Sequence, residues 1–173
     1  MPEKMLNRIL ENYPHIGSDI WKKISEVIRK ENPEWGEIAK YAEILAEGDL
    51  EKINEMSLRI KRIIDKSEGD LQGIAILEYL FPKIQEIIKL KAVRNLETRF
   101  KLLFSKISTI REILYFSERL PKEFRRVLKN ICELIVEIID DATSNILRKE
   151  LPMLGELEEL LFLSLQALEI LRY

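Results

Sequence analysis

The stretch PKEFRRVLKNICELIVEII, residues 121–139, decides the fold class. Phe124, Val127, Leu128, Ile131, Leu134, Ile135, Ile138 and Ile139 recur at spacings of three and four, with charged side chains filling much of the space between. That period belongs to one face of an α-helix. Pro121 suits the first turn, where a missing N–H costs nothing. Moving toward the C-terminus, Pro152 and Gly155 precede a Leu-rich segment, residues 153–173, that predicts a terminal helix.

Moving toward the N-terminus, Leu120-Pro121 ends the preceding helix. Residues Lys83 to Phe116 contain no Gly or Pro, and the spacing predicts one long helix there, with Ile84, Ile87, Ile88, Phe100, Leu103, Ile107, Ile110 and Leu114 turning round its surface. Asp70 opens a helix through Leu77 and Leu80, which Pro82 is expected to kink or restart. Asp49 is expected to cap a helix with Ile53, Met56, Ile60, Ile63 and Ile64 on its inner face. Gly48 closes the helix before it, which points Ile38, Tyr41, Ala42 and Leu45 inward. Ser18 is the expected cap of a helix bearing Ile20, Trp21, Ile24, Val27 and Ile28, and Asn32-Pro33 stops it. Pro2 suits the start of a first helix, which Pro14 and Gly17 end. Nothing alternates with the period of a strand. The expectation is an all-α multi-helix bundle of about six or seven helices, one or two of them long. It forms a single domain over 1–173, whose softest boundary is Ser67-Glu68-Gly69-Asp70.

Apolar residues make up 46% of the 173, enough for a folded core. Charged residues make up 34%, with six Gly and six Pro, the composition of helices laced by ion pairs. Cys132 is the one cysteine, so no internal disulfide forms and nothing argues for secretion. No apolar run is long enough to span a bilayer. A cytoplasmic protein without membrane contact is expected.

His15 is the one histidine and falls in the Tyr13–Gly17 turn, where a solvated side chain is expected. Zinc needs several Cys or His at short spacing. Cys132 sits among Ile131, Leu134 and Ile135 and reads as a small core residue. No glycine-rich phosphate loop occurs. Glu133, Glu137 and Asp141 share a helix face at i, i+4, which reads as a solvated acidic stripe. The expectation is a protein with no catalytic residue, cofactor, metal or small-molecule substrate.

Two signals point to macromolecular partners. The net charge of −2 hides segments of opposite sign: residues 1–82 carry −4, residues 83–132 carry +8, and residues 133–173 carry −6. The basic middle either faces the chain's own acidic ends or meets phosphates. Arg94, Arg99, Lys101, Arg125, Arg126 and Lys129 are the candidate phosphate contacts. The terminal helix is apolar nearly all round, and such a helix must be buried in its own bundle or in a partner. Leu154, Leu157, Leu160, Leu161, Leu165 and Leu168 are the candidate partner interface.

Residues 85–147 carry a progression of short motifs: Arg94-Asn95, Leu102-Leu103-Phe104, Lys106-Ile107, Ile110-Arg111, Tyr115-Phe116, Leu120-Pro121, Phe124-Arg125, then Leu128, Glu133 and Ile139. With one gap between Arg111 and Leu120, this resembles the helical domain of the GINS complex, in the archaeal subunit class that places its helical domain first. The resemblance implies a non-enzymatic subunit of a tetrameric assembly that bridges the MCM helicase and a RecJ-like protein in DNA replication. The matched helices would pack against other subunits, with no catalytic residue to transfer. The family ends in a small β-rich domain, where this chain has its Leu-rich helix. The expected function is therefore that of a structural subunit whose partners are protein subunits, in a homo- or hetero-oligomer. The alternative is a nucleic-acid-binding helical protein, such as a small subunit of a CRISPR effector complex.

Overall fold

The computed structural model describes residues 3–146 and 154–172, and the expected starts near Pro2 and Pro152 lie outside them. Among the described residues there are nine α-helices and no strand. They are α1 (Glu3–Asn12), α2 (Ser18–Glu31), α3 (Gly36–Glu47), α4 (Leu50–Lys66), α5 (Gly69–Ile88), α6 (Leu96–Ser105), α7 (Ile107–Ser117), α8 (Arg125–Ile146) and α9 (Leu154–Leu171). The all-α expectation holds, with more helices than expected. The chain divides into two compact units, Met1–Pro82 with Arg119–Val127, and Lys83–Glu118 with Leu128–Tyr173.

In the first unit α2 packs on α3, and α3 on α4. Trp21, Ile24 and Ile28 of α2 and Ile38, Tyr41, Ala42 and Leu45 of α3 are buried, as their spacing requires. The α3–α4 corner is written in two residues. Gly48 adopts φ 73°, a left-handed conformation that costs glycine little, and its N–H donates to the Ile44 carbonyl. The Asp49 carboxylate then accepts from the N–H groups of Glu51 and Lys52. Ser18 plays a smaller part than expected: Gly17 holds the cap position of α2 without a side-chain bond.

Pro82 neither ends nor restarts α5, which stays helical to Ile88. A proline within a helix costs about 3 kcal/mol, because it removes the bond to the carbonyl four residues back. Here that carbonyl is Glu78's. Burial offsets the cost: Gly73 to Leu80 form an unbroken buried run, and the Tyr13 hydroxyl donates to the neighbouring Leu77 carbonyl at 2.8 Å.

In the second unit α6 packs on α7, and α7 on α9. The long helix expected from Lys83 to Phe116 is broken twice. A 3₁₀ turn at Lys89–Ala92 follows α5. The Asn95 side chain then accepts from the Thr98 N–H and starts α6. Arg99 holds the intervening loop, donating to the carbonyls of Val93 and Lys91, each at 3.0 Å. Lys106 separates α6 from α7. These breaks use ordinary polar side chains, so the absence of Gly and Pro did not predict their absence.

Gly73 shows how tightly the first unit is filled. A Cβ there would lie 2.4 Å from the ring of Phe124, which is fully buried. Alanine gains up to about 1 kcal/mol of helix propensity, but overpacking a close-packed core costs about 1–3 kcal/mol. Gly73→Ala is therefore expected to lower stability in urea unfolding, and an unchanged or raised midpoint would contradict this packing.

Candidate functional site

The strongest candidate site is the outer face of α9. At about 100° per residue, Leu161, Leu165 and Leu168 fall in one arc with Phe162 at its edge. Leu160, Leu163, Ser164 and Ala167 occupy the opposite arc. The second group is buried. The first is open to solvent, with Phe162 66% exposed, Leu165 64%, Leu168 42% and Leu161 40%. The Arg111–Glu159 ion pair links α9 to α7. Four large apolar side chains contiguous in water on one helix form the kind of patch that marks an association surface.

The structure thus sorts the residues singled out from the sequence. Leu161, Leu165 and Leu168 share the exposed arc, whereas Leu160 is fully buried. Leu154 and Leu157 lie in the first turn of α9, outside the described side chains. Phe162 stands outside the leucine pattern that marks this helix in the sequence, and its position one residue beyond Leu161 is the signal that places it at the edge of the arc.

The candidate phosphate contacts are divided between the two units. Arg94, Arg99, Lys101 and Lys129 belong to the second unit, and Arg125 and Arg126 to the first. Arg99 is spent on backbone carbonyls. Lys101 pairs with Glu97 at 3.5 Å and Lys129 with Glu133 at 3.9 Å. Other cations of the basic middle are matched in the same way: Lys91 with Glu137 at 3.0 Å, Lys106 with Glu86 at 3.3 Å, and Lys83 with Glu112 at 3.5 Å. Glu133, Glu137 and Glu159 come from the acidic C-terminal segment, so part of the basic middle faces its own chain.

The most perturbed groups lie elsewhere, inside the first unit. Glu78 of α5 is completely buried, and neither carboxyl oxygen has a hydrogen-bond partner; the same is true of the Tyr41 hydroxyl and the Trp21 indole N–H. Burial raises the Glu78 carboxyl well above its ordinary range, so that it is held neutral. Burial also raises the Tyr13 and Tyr41 hydroxyls, with Glu78 adding to each. Phe81 packs edge-on against Trp21, ring centroids 4.9 Å apart. A neutral carboxyl among aromatic rings could donate a proton, but a substrate would have to reach it, and Glu78, Tyr41 and Trp21 are all closed to solvent. No pattern of residue types announced this cluster; one acidic residue in an otherwise apolar run, GIAILEYL at 73–80, was the available signal.

Cys132 is buried, and burial pushes its thiol up to about 12, with Glu118 and Glu133 adding to the effect. It is a thiol packed in the core at neutral pH. His15 is exposed in the turn after α1. Among the described residues no three His, Cys, Asp or Glu side chains converge as metal ligands, and no helix is long and apolar enough to cross a membrane. Comparison with known protein families, with characterised proteins and with solved structures finds no match to this chain.

Glu78 makes stability depend on pH in a defined direction. The folded protein holds this proton more tightly than the unfolded chain does, where the group titrates near 4.5. Its neutral form is therefore compatible with the fold below that pH. Stability is lost as pH rises above it toward the raised folded value, by up to about 1.4 kcal/mol per pH unit. Glu78→Gln and Glu78→Leu are expected to flatten this decline, read as the wild-type minus variant difference in urea unfolding between pH 4.5 and 8. A constant difference across that range would show that Glu78 titrates normally in the folded protein.

Proposed function

We propose that this protein is a non-catalytic structural subunit that joins a multiprotein assembly through the outer face of α9. The observation that carries this reading is the solvent-exposed arc of Leu161, Phe162, Leu165 and Leu168. Full burial of one such side chain is worth about 1.5–3 kcal/mol, so four that are only partly covered leave several kcal/mol unrealised in the isolated chain. A partner helix laying its own apolar stripe along α9 would recover that energy, with the rim of charged side chains choosing which partner fits.

The motif progression over residues 85–147 suggests which assembly. The chain is proposed as a GINS-like subunit, linking a replicative helicase to a RecJ-like partner. The resemblance supports this reading through the residues that shape the second unit. Asn95 starts α6. Leu103, Ile107 and Ile110 are buried beside the α6–α7 junction, and Ile139 is buried in α8. These are packing positions, as a structural subunit requires, and the reading needs no catalytic residue.

Light scattering on the purified full chain should find an oligomer or, with a partner supplied, a stable complex. Leu165→Asp or Phe162→Asp should weaken that association at least tenfold, about 1.4 kcal/mol, while leaving thermal unfolding of the subunit unchanged. Capture from source lysate should recover helicase and RecJ-like components. A lone monomer at tens of micromolar that captures neither would overturn the proposal, and recovery of CRISPR effector proteins would replace it.

A further inference from the structure

A second surface, in the first unit, has a different chemistry. The last two turns of α4 place Arg59, Arg62 and Lys66 in the lining of an open cleft of about 410 Å³, which Glu37 of α3 also lines. Ile63 and Leu71 supply an apolar wall. Three cations against one carboxylate leave a surplus of positive charge, within a segment, residues 1–82, whose own net charge is −4. An adjoining cleft of about 500 Å³ shares Arg59 but is balanced, since Lys40 and Lys52 there stand with Glu43, Glu47 and Glu55.

The ordinary reasons for such a cluster are already met by other groups. Cations often gather at a helix C-terminus to cap its last carbonyls. Here the Ile63 carbonyl accepts from the Ser67 hydroxyl, and the Ile64 carbonyl from the Gln72 amide at 3.0 Å. The end of α4 also meets the start of α5, so their opposite terminal dipoles offset each other and the side chains decide the sign. Asp65, which could have neutralised the group, is held by Arg119 at 3.1 Å. Glu68 and Asp70 flank the turn but do not line the cleft. Arg62 and Lys66 enter no ion pair among the described residues, and the Arg59 guanidinium has only the Met56 sulfur, at 3.9 Å.

We infer that this cleft binds a phosphate group carried by a small ligand. Side chains three and four residues apart on a helix lie about 5–6 Å from one another, close enough for Arg59, Arg62 and Lys66 to converge on one phosphate or pyrophosphate. Two guanidinium forks match paired phosphate oxygens, and the lysine adds a mobile point charge. The volume falls in the range of small-molecule sites, and the wall of Ile63 and Leu71 would receive the organic part of a phosphate ester.

The test is an amide NMR titration of the full chain with inorganic phosphate and with pyrophosphate, at constant ionic strength held by chloride. Saturable shifts confined to about residues 59–72 are expected, with pyrophosphate binding more tightly than phosphate. The double variant Arg62→Ala, Lys66→Ala, whose side chains are exposed and whose unfolding temperature should be unchanged, is expected to bind at least tenfold more weakly. Lys52→Ala, in the balanced cleft, should bind as wild type does. A single-stranded oligonucleotide that competes for the same amides would overturn the small-ligand reading, and failure to compete supports it. Shifts that never saturate, that chloride reproduces, or that survive in the double variant would overturn the site altogether.

Discussion

Every helix leaves its first four N–H and last four C=O groups without partners inside the helix, and the structure depends on how those ends are met. The described residues form nine helices, and the whole chain has six glycines with which to end them. Several of the ends are closed by side chains. Asp49 and Asn95 receive N-terminal amides, Ser67 and Gln72 serve the last carbonyls of α4, and Arg99 takes up the loop carbonyls before α6. Each cap is worth about 1 kcal/mol on its own. Their larger effect is on topology, because they set where one stripe of buried residues stops and the next begins.

That economy explains what was legible in the sequence. In the first unit, Gly48-Asp49 and Asn32-Pro33 are strong punctuation, and the buried faces of α2, α3 and α4 follow from spacing alone. In the second unit the punctuation is a 3₁₀ turn, a lone asparagine and Lys106, and the run from Lys83 to Phe116 reads as one helix when it holds the end of α5, all of α6 and all but the last residue of α7. Pro82 misleads in the other direction. Its local cost of about 3 kcal/mol is overridden by a buried run whose tertiary packing is worth more, and a propensity argument has no access to that sum. Capping by side chains and tolerance of an interior proline are both tertiary decisions.

The site residues divide along the same line. Spacing placed Leu161, Leu165 and Leu168 on one side of α9, but it could not say which side of an all-apolar helix faces inward. Small residues settle that: Ser164 and Ala167, with Leu160 and Leu163, occupy the buried arc, where a helix can approach its neighbour closely. Composition found the basic segment yet could not say whether its charges were free. Most of those described stand in exposed ion pairs, each contributing at most about 1 kcal/mol, and their main consequence is to cancel field at the surface. A further surplus of positive charge lies at the end of α4, in a stretch whose overall composition is acidic.

A buried glutamate without a partner is the feature least expected of a stable core. Its neutral form avoids the full penalty of a buried charge, but two unpartnered oxygens beside an unpartnered Tyr41 hydroxyl and Trp21 indole still cost about 1–3 kcal/mol for each polar group. Replacement by an apolar residue of similar size would remove that cost, so packing alone does not account for a carboxyl at this position. The backbone offers one reason for polarity nearby. Pro82 frees the carbonyl of residue 78, and the Tyr13 hydroxyl already serves the carbonyl of residue 77. Glu78 does not supply the missing donor, since neither of its oxygens has a hydrogen-bond partner, and what protonation provides is relief from the far larger cost of a buried, unpaired charge.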